Sequence, residues 1–329
     1  MKLDLQFFAN NAELINKSYT GTQGNGVSLL SPEQSKAFIK MVMDNDSFLQ
    51  AIDHQMRTAV KGALPKLGVK RGIIQKKLEG EMPKGDGDKI IFDDVKYDCN
   101  TIMTFAALSN DWKRQNIEQG HGEDTVMREI AARARLDVLN LIINGDTEIA
   151  EDNPLYESLC IDDGIIKQLK AANQIMDCTD YQSMSATLFI DAVTHIPQRY
   201  FNTKTYRWVA NNITYLKWLE ELTKRQTSAG DSAMVSDSLL KPLGIDWEIV
   251  ADVPTGTIIL TDPKNIAMVN TFDTKLNKTS EGKEALLKDM TYYAMFMDID
   301  TIIYEKEAML LMENLPIGEL AKLARPKKK

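Results

Sequence analysis

One stretch constrains the fold more than any other: residues 123–144, EDTVMREIAARARLDVLNLIIN. Val126, Ile130, Ala134, Val138 and Leu141 or Ile142 recur at spacings of three and four, and Met127, Ala131 and Leu139 widen the stripe. Arg128, Glu129, Arg133 and Asp137 fall on the opposite side. That period predicts an amphipathic helix with one broad apolar face. At 1.5 Å per residue it is a rod of roughly 33 Å. Its small residues Ala131, Ala132 and Ala134 allow another backbone to come close. Asn144-Gly145 is the expected stop, with Gly145 in the left-handed cap conformation. A polar segment, 146–152, follows. The chain must therefore be arranged around a long spine that is covered on one side and ends sharply.

The remainder is long enough to cover it. The chain has 329 residues, 43% of them hydrophobic and 26% charged, which suits a large globular fold of one or two lobes. Net charge is −8, so the chain as a whole does not work by neutralising phosphate. Three widely spaced cysteines, Cys99, Cys160 and Cys178, predict free thiols in a reducing compartment, with no disulfide framework and no paired-cysteine zinc site. No apolar run reaches the roughly 18 residues of a membrane helix. The start, MKLDLQFFAN, lacks the apolar core of a secretory signal. Synthesis in the cytoplasm is the expectation.

Taken in order, residues 1 to about 30 are polar and glycine-spotted, an arm that orders only against a partner surface. Ser31-Pro32 opens a helix, with Ser31 as cap and Pro32 in the first turn. Phe38, Met41, Val42, Phe48, Leu49 and Ile52 form its apolar side. From about 56 to 108, short β-like pieces alternate with Gly, Pro and charge. Residues 90–92 and 102–105 read as strands, 84–89 as a turn, and the polar middle predicts a long hairpin projecting from the body. A helical stretch begins at Asn110. Beyond the spine, 164–176 reads as helix, 186–196 as strand or helix, 206–210 as strand and 213–222 as helix. Residues 226–237 form a small-residue loop, and 247–250 and 257–260 are a strand pair turning at Pro254 and Gly256. A further strand lies at 266–269. This is a mixed α/β lobe. Residues 290–312, rich in aromatic and β-branched side chains, read as one long strand or a bent pair.

Catalytic patterns are missing. GALPKLGVK at 62–70 lacks the GK[ST] ending of a phosphate loop, and no GxSxG elbow occurs. His54, His121 and His195 are isolated. Asp86 and Asp88 do not begin a calcium loop, because Tyr97 stands where the twelfth-position Glu belongs. The acid pairs Asp93-Asp94 and Asp162-Asp163 are what a chain with 47 acids produces by chance. No catalytic, cofactor or metal residue is predicted. The basic residues Lys70, Arg71, Lys76 and Lys77, followed by Glu79 and Glu81, read as a solvated or protein-contacting face. With Lys84 and Lys89 on the same loop and Phe7 and Phe8 on the arm, they are the candidate inter-subunit contacts. A mobile arm, a projecting hairpin, a spine and no active site describe a building block.

Several segments also match a known family in order. These are MKLDLQFFA at the start, IMTFAALSNDWKR at 102–114, and the spine from Met127 ending in NGDT and leading to LCIDDGII at 159–166. IPQRYFNTKTYRWVANNITYLKWL at 196–219 follows, then KPLGIDWEIVADVP with TIILTDPKNIAMV. Ile245-Asp246 replaces the proline usual in the last of these. Together they resemble tailed-phage major capsid proteins of the Hong Kong 97 type, from phages of Gram-positive hosts, and the likeness runs from about residue 30 to near the end. The resemblance implies an α+β capsid fold with an N-terminal arm (1–31), a lead-in helix (32–59) and an extended β-hairpin loop (60–104). A peripheral domain with the spine helix (105–149 and return strands 283–315), a mixed α/β axial domain (150–282) and a tail (316–329) complete it. It implies a non-enzymatic shell subunit of the virion. Its copies form pentamers and hexamers that close into an icosahedral shell around double-stranded DNA. Its partners are itself, a scaffolding protein, a portal protein and weakly held DNA. Only about 30 residues precede Ser31, so either a scaffolding domain is cleaved off or, as the Met1 start favours, a separate scaffolding protein is expected. The family's covalent Lys–Asn cross-link is not carried over, because its residues cannot be placed here. Two other readings compete: an encapsulin-type nanocompartment shell, which usually lacks a long arm, and a cytosolic α/β enzyme, for which no nucleophile, metal site or cofactor loop is found.

Overall fold

The computed structural model describes residues 27–29, 46–69, 90–111, 122–224, 241–272, 275–279 and 283–318. The predicted helix from Ser31 and the loop at 226–237 lie outside them. The spine is a helix, Gly122–Asn144, one residue longer than the periodicity predicts. Ala131, Ala134, Val138, Leu139, Leu141, Ile142 and Ile143 are buried along it, while Glu129, Arg133 and Asp137 are exposed.

The other helices are short. In chain order the set is α1 (Ser47–Ala51), the spine α2, α3 (Tyr156–Leu159), α4 (Ile165–Ala171), α5 (Ala186–His195), α6 (Asn212–Thr223) and α7 (Lys283–Lys288). Asp46 caps α1 by accepting from the backbone N–H groups of Phe48 (2.9 Å) and Leu49 (3.1 Å), and so sets both side chains into the core.

A six-stranded sheet packs on the spine. It contains β1 (Val27–Leu29), β2 (Asp53–Arg57), β5 (Asn100–Ser109), β10 (Ile266–Thr271), β11 (Lys275–Thr279) and β12 (Met290–Ile303), in the order β1-β11-β12-β10-β2 with β5 also on β12. At 14 residues, β12 is long enough to take β5 along its first part and both β11 and β10 in succession. Between β2 and β5 the chain leaves as a two-stranded ribbon, β3 (Lys61–Val69) against β4 (Ile90–Asp98). A five-stranded sheet, β6 (Ile175–Asp177), β13 (Leu310–Glu313), β9 (Ile258–Thr261), β7 (Arg207–Ala210) and β8 (Asp246–Ile249), lies beyond the spine. Both of its faces are buried. Ile259 and Leu311 face the core of the spine, whereas Ile258, Leu260, Leu310 and Met312 face a second core under α5 and α6. There the Phe189 ring meets Trp208, Trp218 and Trp247 edge-on at 5.0, 4.9 and 6.0 Å.

Several local expectations are corrected. Gly145 does not take the left-handed cap. The positive-φ glycines among the described residues are Gly244, Gly256 and Gly318. Gly145 is needed because two backbones touch: a Cβ there lies 2.4 Å from the Asp162 carbonyl and 2.6 Å from that of Leu141. A Cβ on Gly164 lies 2.6 Å from the Gly145 nitrogen. The helix expected over 164–176 ends at Ala171. Asn173 (φ 56°) turns the chain, and β6 follows. The segment left open as strand or helix at 186–196 is helix α5. The strands at 247–250 and 257–260 are not partners, since β7 lies between them, parallel to β8 and antiparallel to β9. The reason is burial: Ile258-Ile259-Leu260-Thr261 is covered throughout and suits an inner strand, whereas β8 leaves Ile249 exposed and Asp246 and Trp247 half-buried and suits an edge. Of the two readings of 290–312, the pair holds: two strands, in different sheets, separated by a 3-10 turn at Lys306–Ala308. Strand membership crosses the sequence divisions twice: β10, within 150–282, is in the six-stranded sheet, and β13, within 283–315, is in the five-stranded one.

Gly145→Ala is expected to lower stability by at least about 2 kcal/mol in urea unfolding, because both clashing atoms are backbone. Gly244→Ala has open space around it and only the backbone strain of φ 75°, so it is expected to cost about 1 kcal/mol.

Candidate assembly surfaces

The ribbon β3–β4 is the first candidate. Nine paired residues at about 3.3 Å each give an arm of roughly 30 Å. Its register runs from Lys61 opposite Asp98 to Val69 opposite Ile90. Among the described residues its root is tied to the body. Leu64, Tyr97 and Cys99 form a small core with Ala267, Val269 and Ile302. Gly62 lies under the Tyr97 ring, where a Cβ comes within 2.6 Å of the phenol oxygen. Lys66 pairs with Glu305, and Lys61 with Asp98 at 2.7 Å. A two-stranded ribbon is marginal in water by itself, so its outer part gains stability by lying on another surface.

The second candidate is the outer face of the six-stranded sheet. Along β5, Ile102 points to the spine and is buried, while Met103 and Phe105 point away and are 61% and 58% exposed. Opposite them on β12 stand Phe296, Ala294 and Tyr292, in the pairs Met103–Phe296, Phe105–Ala294 and Ala107–Tyr292. Phe105 stacks on Tyr292 with ring centroids 5.5 Å apart. The alternate residues Tyr293, Met295 and Met297 are buried in the core of the spine. The sheet thus carries apolar side chains on both faces, and the described residues leave the outer one open. A contiguous apolar patch of this kind marks a contact surface.

Single exposed apolar residues also occur on the elements around the aromatic core: Ile190 on α5, Leu216 on α6, Ile249 on β8 and Leu243. Leu243 stands at φ 55°, a left-handed conformation that costs a side-chain-bearing residue of order 1–3 kcal/mol.

The sequence candidates Phe7, Phe8, Lys70, Arg71, Lys76, Lys77, Glu79, Glu81, Lys84 and Lys89 all lie outside the described residues, as do Asp86, Asp88 and His121. His54 Nε2 is 2.6 Å from the Leu49 carbonyl and His195 Nδ1 is 2.8 Å from that of Asp191, so both imidazoles serve local structure. Asp163 is bonded by Thr147 and paired with Lys167 at 3.0 Å, and Lys167 also reaches Asp146 at 2.7 Å. Among the described residues no group of three His, Cys, Asp or Glu side chains is placed to hold a metal ion. Cys99 and Cys178 are free and buried, and burial pushes both thiols up to about 12. The open apolar patch on Met103 and Phe105 went unread. The signal for it was present in Ile-Met-Thr-Phe, a strand apolar on both faces rather than alternating.

Comparison with known proteins fits this geometry. No family model matches the chain. It is 24% identical over 319 residues to a protein named as a prophage capsid protein, YqbE of Bacillus subtilis (strain 168), covering 91% of this chain and 97% of that one. A chain from the satellite phage P4 procapsid that includes the size determination (Sid) protein superposes with a TM-score of 0.66 at 16% identity, covering 96% of this chain and 98% of that one. A chain from the capsid of the native GTA particle gives 0.54 at 13%, covering 82% and 90%. The chain has the fold of phage capsid subunits. The holo-SrpI encapsulin of Synechococcus elongatus PCC 7942 shares it more distantly, with a TM-score of 0.53 at 9% identity over 82% of this chain and 87% of that one. The capsid relatives are structural proteins, not enzymes.

Replacing Met103 and Phe105 together by Ser is expected to change unfolding free energy by no more than about 0.5 kcal/mol, because both are more than half exposed. The same change is expected to weaken self-association, read as a shift to smaller species in sedimentation velocity.

Proposed function

We propose that the chain is the major capsid subunit of a tailed phage or prophage, of the Hong Kong 97 type and from a Gram-positive host. The observation that carries this is colinearity: the likeness to the Bacillus subtilis prophage capsid protein extends over 91% of this chain and 97% of that one, on a fold shared with procapsid and capsid chains. In this reading copies assemble as pentamers and hexamers into an icosahedral shell of the virion, enclosing double-stranded DNA. Scaffolding and portal proteins are the further partners, and synthesis is in the host cytoplasm. The net charge of −8 suits a wall that contains DNA without gripping it.

The parts acquire roles accordingly. The N-terminal arm (1–31) and the loop around β3–β4 (60–104) reach neighbouring copies. The spine and six-stranded sheet form the peripheral domain, and the five-stranded sheet with α5 and α6 forms the axial domain. The apolar outer face of β5 and β12 is a surface that a neighbouring copy covers. Lys70, Arg71, Lys76, Lys77, Glu79, Glu81, Lys84 and Lys89 are loop contacts, and Phe7 and Phe8 are arm contacts.

Negative-stain microscopy of the chain, expressed alone and with its neighbouring gene products, tests this. Closed angular shells or ring-shaped capsomers are the expected result. A stable monomer at high concentration in every salt condition overturns it, and a peptide-tagged enzyme inside purified shells would assign the nanocompartment role instead. Lys76→Glu with Lys77→Glu is expected to reduce shell yield while leaving the circular dichroism of the subunit unchanged. Loss of folded content with normal assembly would remove the loop from the contact.

A further inference from the structure

Two carboxyl groups meet where the ribbon joins the body. Asp162 lies in the loop between α3 and α4, and Asp300 lies near the end of β12. Asp162 accepts from the Thr301 backbone N–H at 2.9 Å through Oδ2 and from that of Asp163 at 2.9 Å through Oδ1. Asp300 is buried and accepts from the Asp98 N–H at 2.7 Å through Oδ2. Asp98 is the last residue of β4, so this bond holds the root of the ribbon. Thr301 directly follows Asp300, so the bond from its N–H sets the Asp162 carboxyl beside that of Asp300, and two carboxyl groups side by side can bond each other only when one of them carries a proton.

Among the described residues the nearby cations are engaged with other acids. Asp98 comes from β4 and is paired outward with Lys61. Asp298, on β12, accepts from Thr101 at 2.7 Å and Thr271 at 2.6 Å. Between them lies the Cys99 thiol, held neutral by burial. From the α3–α4 loop comes Asp163, paired with Lys167, and Lys167 is committed to Asp146, Asp163 and Glu148. Among the described residues no Lys, Arg or His forms an ion pair with Asp162 or Asp300. Burial first, and the charge of Asp300 next, hold Asp162 up to about 7, and burial raises Asp300 too. Two touching carboxylates cannot both ionise without strong repulsion.

We propose that the Asp162–Asp300 carboxyl pair is a proton-held latch, tying the root of the β3–β4 ribbon to the exit of the spine helix and releasing it when the shared proton is lost. The proton leaves to solvent, and no other group changes. When latched, the pair keeps its proton up to about pH 7. When released, both groups are ordinary carboxylic acids that ionise near about pH 4. The released state therefore binds fewer protons between those values. The latch weakens as pH rises across that window, is unchanged below it and levels off above it. The latch is a property of one subunit. Its effect on assembly rests on the shell reading, but its existence does not.

Hydrogen–deuterium exchange of the full chain tests it, with peptides covering 94–101 followed from pH 5 to 8 and corrected for intrinsic exchange. Protection is expected to fall by up to about tenfold per pH unit, levelling near neutrality, while a control peptide from the aromatic core, 206–211, stays level. Asp300→Asn keeps an acceptor for the Asp98 N–H and a donor for Asp162 without a titrating proton, so its 94–101 profile is expected to be flat. An equal fall in that variant, or none in the unmodified chain, overturns the latch. Should Asp300→Asn fail to fold, Asp162→Asn is read by the same two outcomes.

Discussion

Much of this subunit depends on one close approach of backbone to backbone. At the end of the spine, Gly145 and Gly164 touch: the Gly164 N–H donates to the Gly145 carbonyl at 2.8 Å, and neither residue has room for a Cβ. That contact turns the chain back along the spine. It sets Asp162 against Thr301 and Asp300, and Gln168 between the carbonyls of Asp163 (2.7 Å) and Thr301 (2.5 Å). It also starts α4, whose Ile165 and Leu169 are fully buried. The two sheets, the spine and the root of the ribbon are joined within a few residues of this point. A methyl group there would push apart the elements that the hydrophobic cores depend on having together.

The organisation that results divides the molecule by stability. Two packed cores, one under the spine and one around Phe189 and its three tryptophans, bury the parts that need no partner. The β3–β4 ribbon and the outer face of β5 and β12 are different. The described ties of the ribbon are at its root, and the face exposes Met103 and Phe105. In a shell subunit this is a consistent division: cores make each copy fold, and surfaces without a core of their own find one on the next copy. The acidic cluster at the root of the ribbon sits on the boundary between those two regimes, where a small change in charge acts on a long lever.

Legibility in the sequence followed the range of the physics. The spine was readable to within one residue because its apolar stripe is written into spacings of three and four. Helix α6 was readable for the same reason, and strands β4, β5, β7, β9 and β10 from short runs rich in β-branched and aromatic residues. The face of β5 was only half legible. Its composition identified a strand, but which of Ile102 and Met103 points to the spine depends on the register with β12. The pairing of β8 was misread because sequence neighbours were taken as partners, whereas the aromatic core places β7 between β8 and β9.

The sequence by itself determined the elements, the acidic balance, the absence of familiar catalytic motifs and the order of segments shared with capsid proteins, since each of these is a property of a residue and its near neighbours. Only the tertiary structure decided that Gly145 serves contact rather than a cap, that β10 and β13 belong to opposite sheets, and that Asp98, Asp162 and Asp300 converge. Those three acids are separated by up to about two hundred positions, and nothing near any of them in the chain specifies the others. Their meeting follows from closing the cores around the spine, a cooperative event in which local signals choose the pieces and burial chooses the partners.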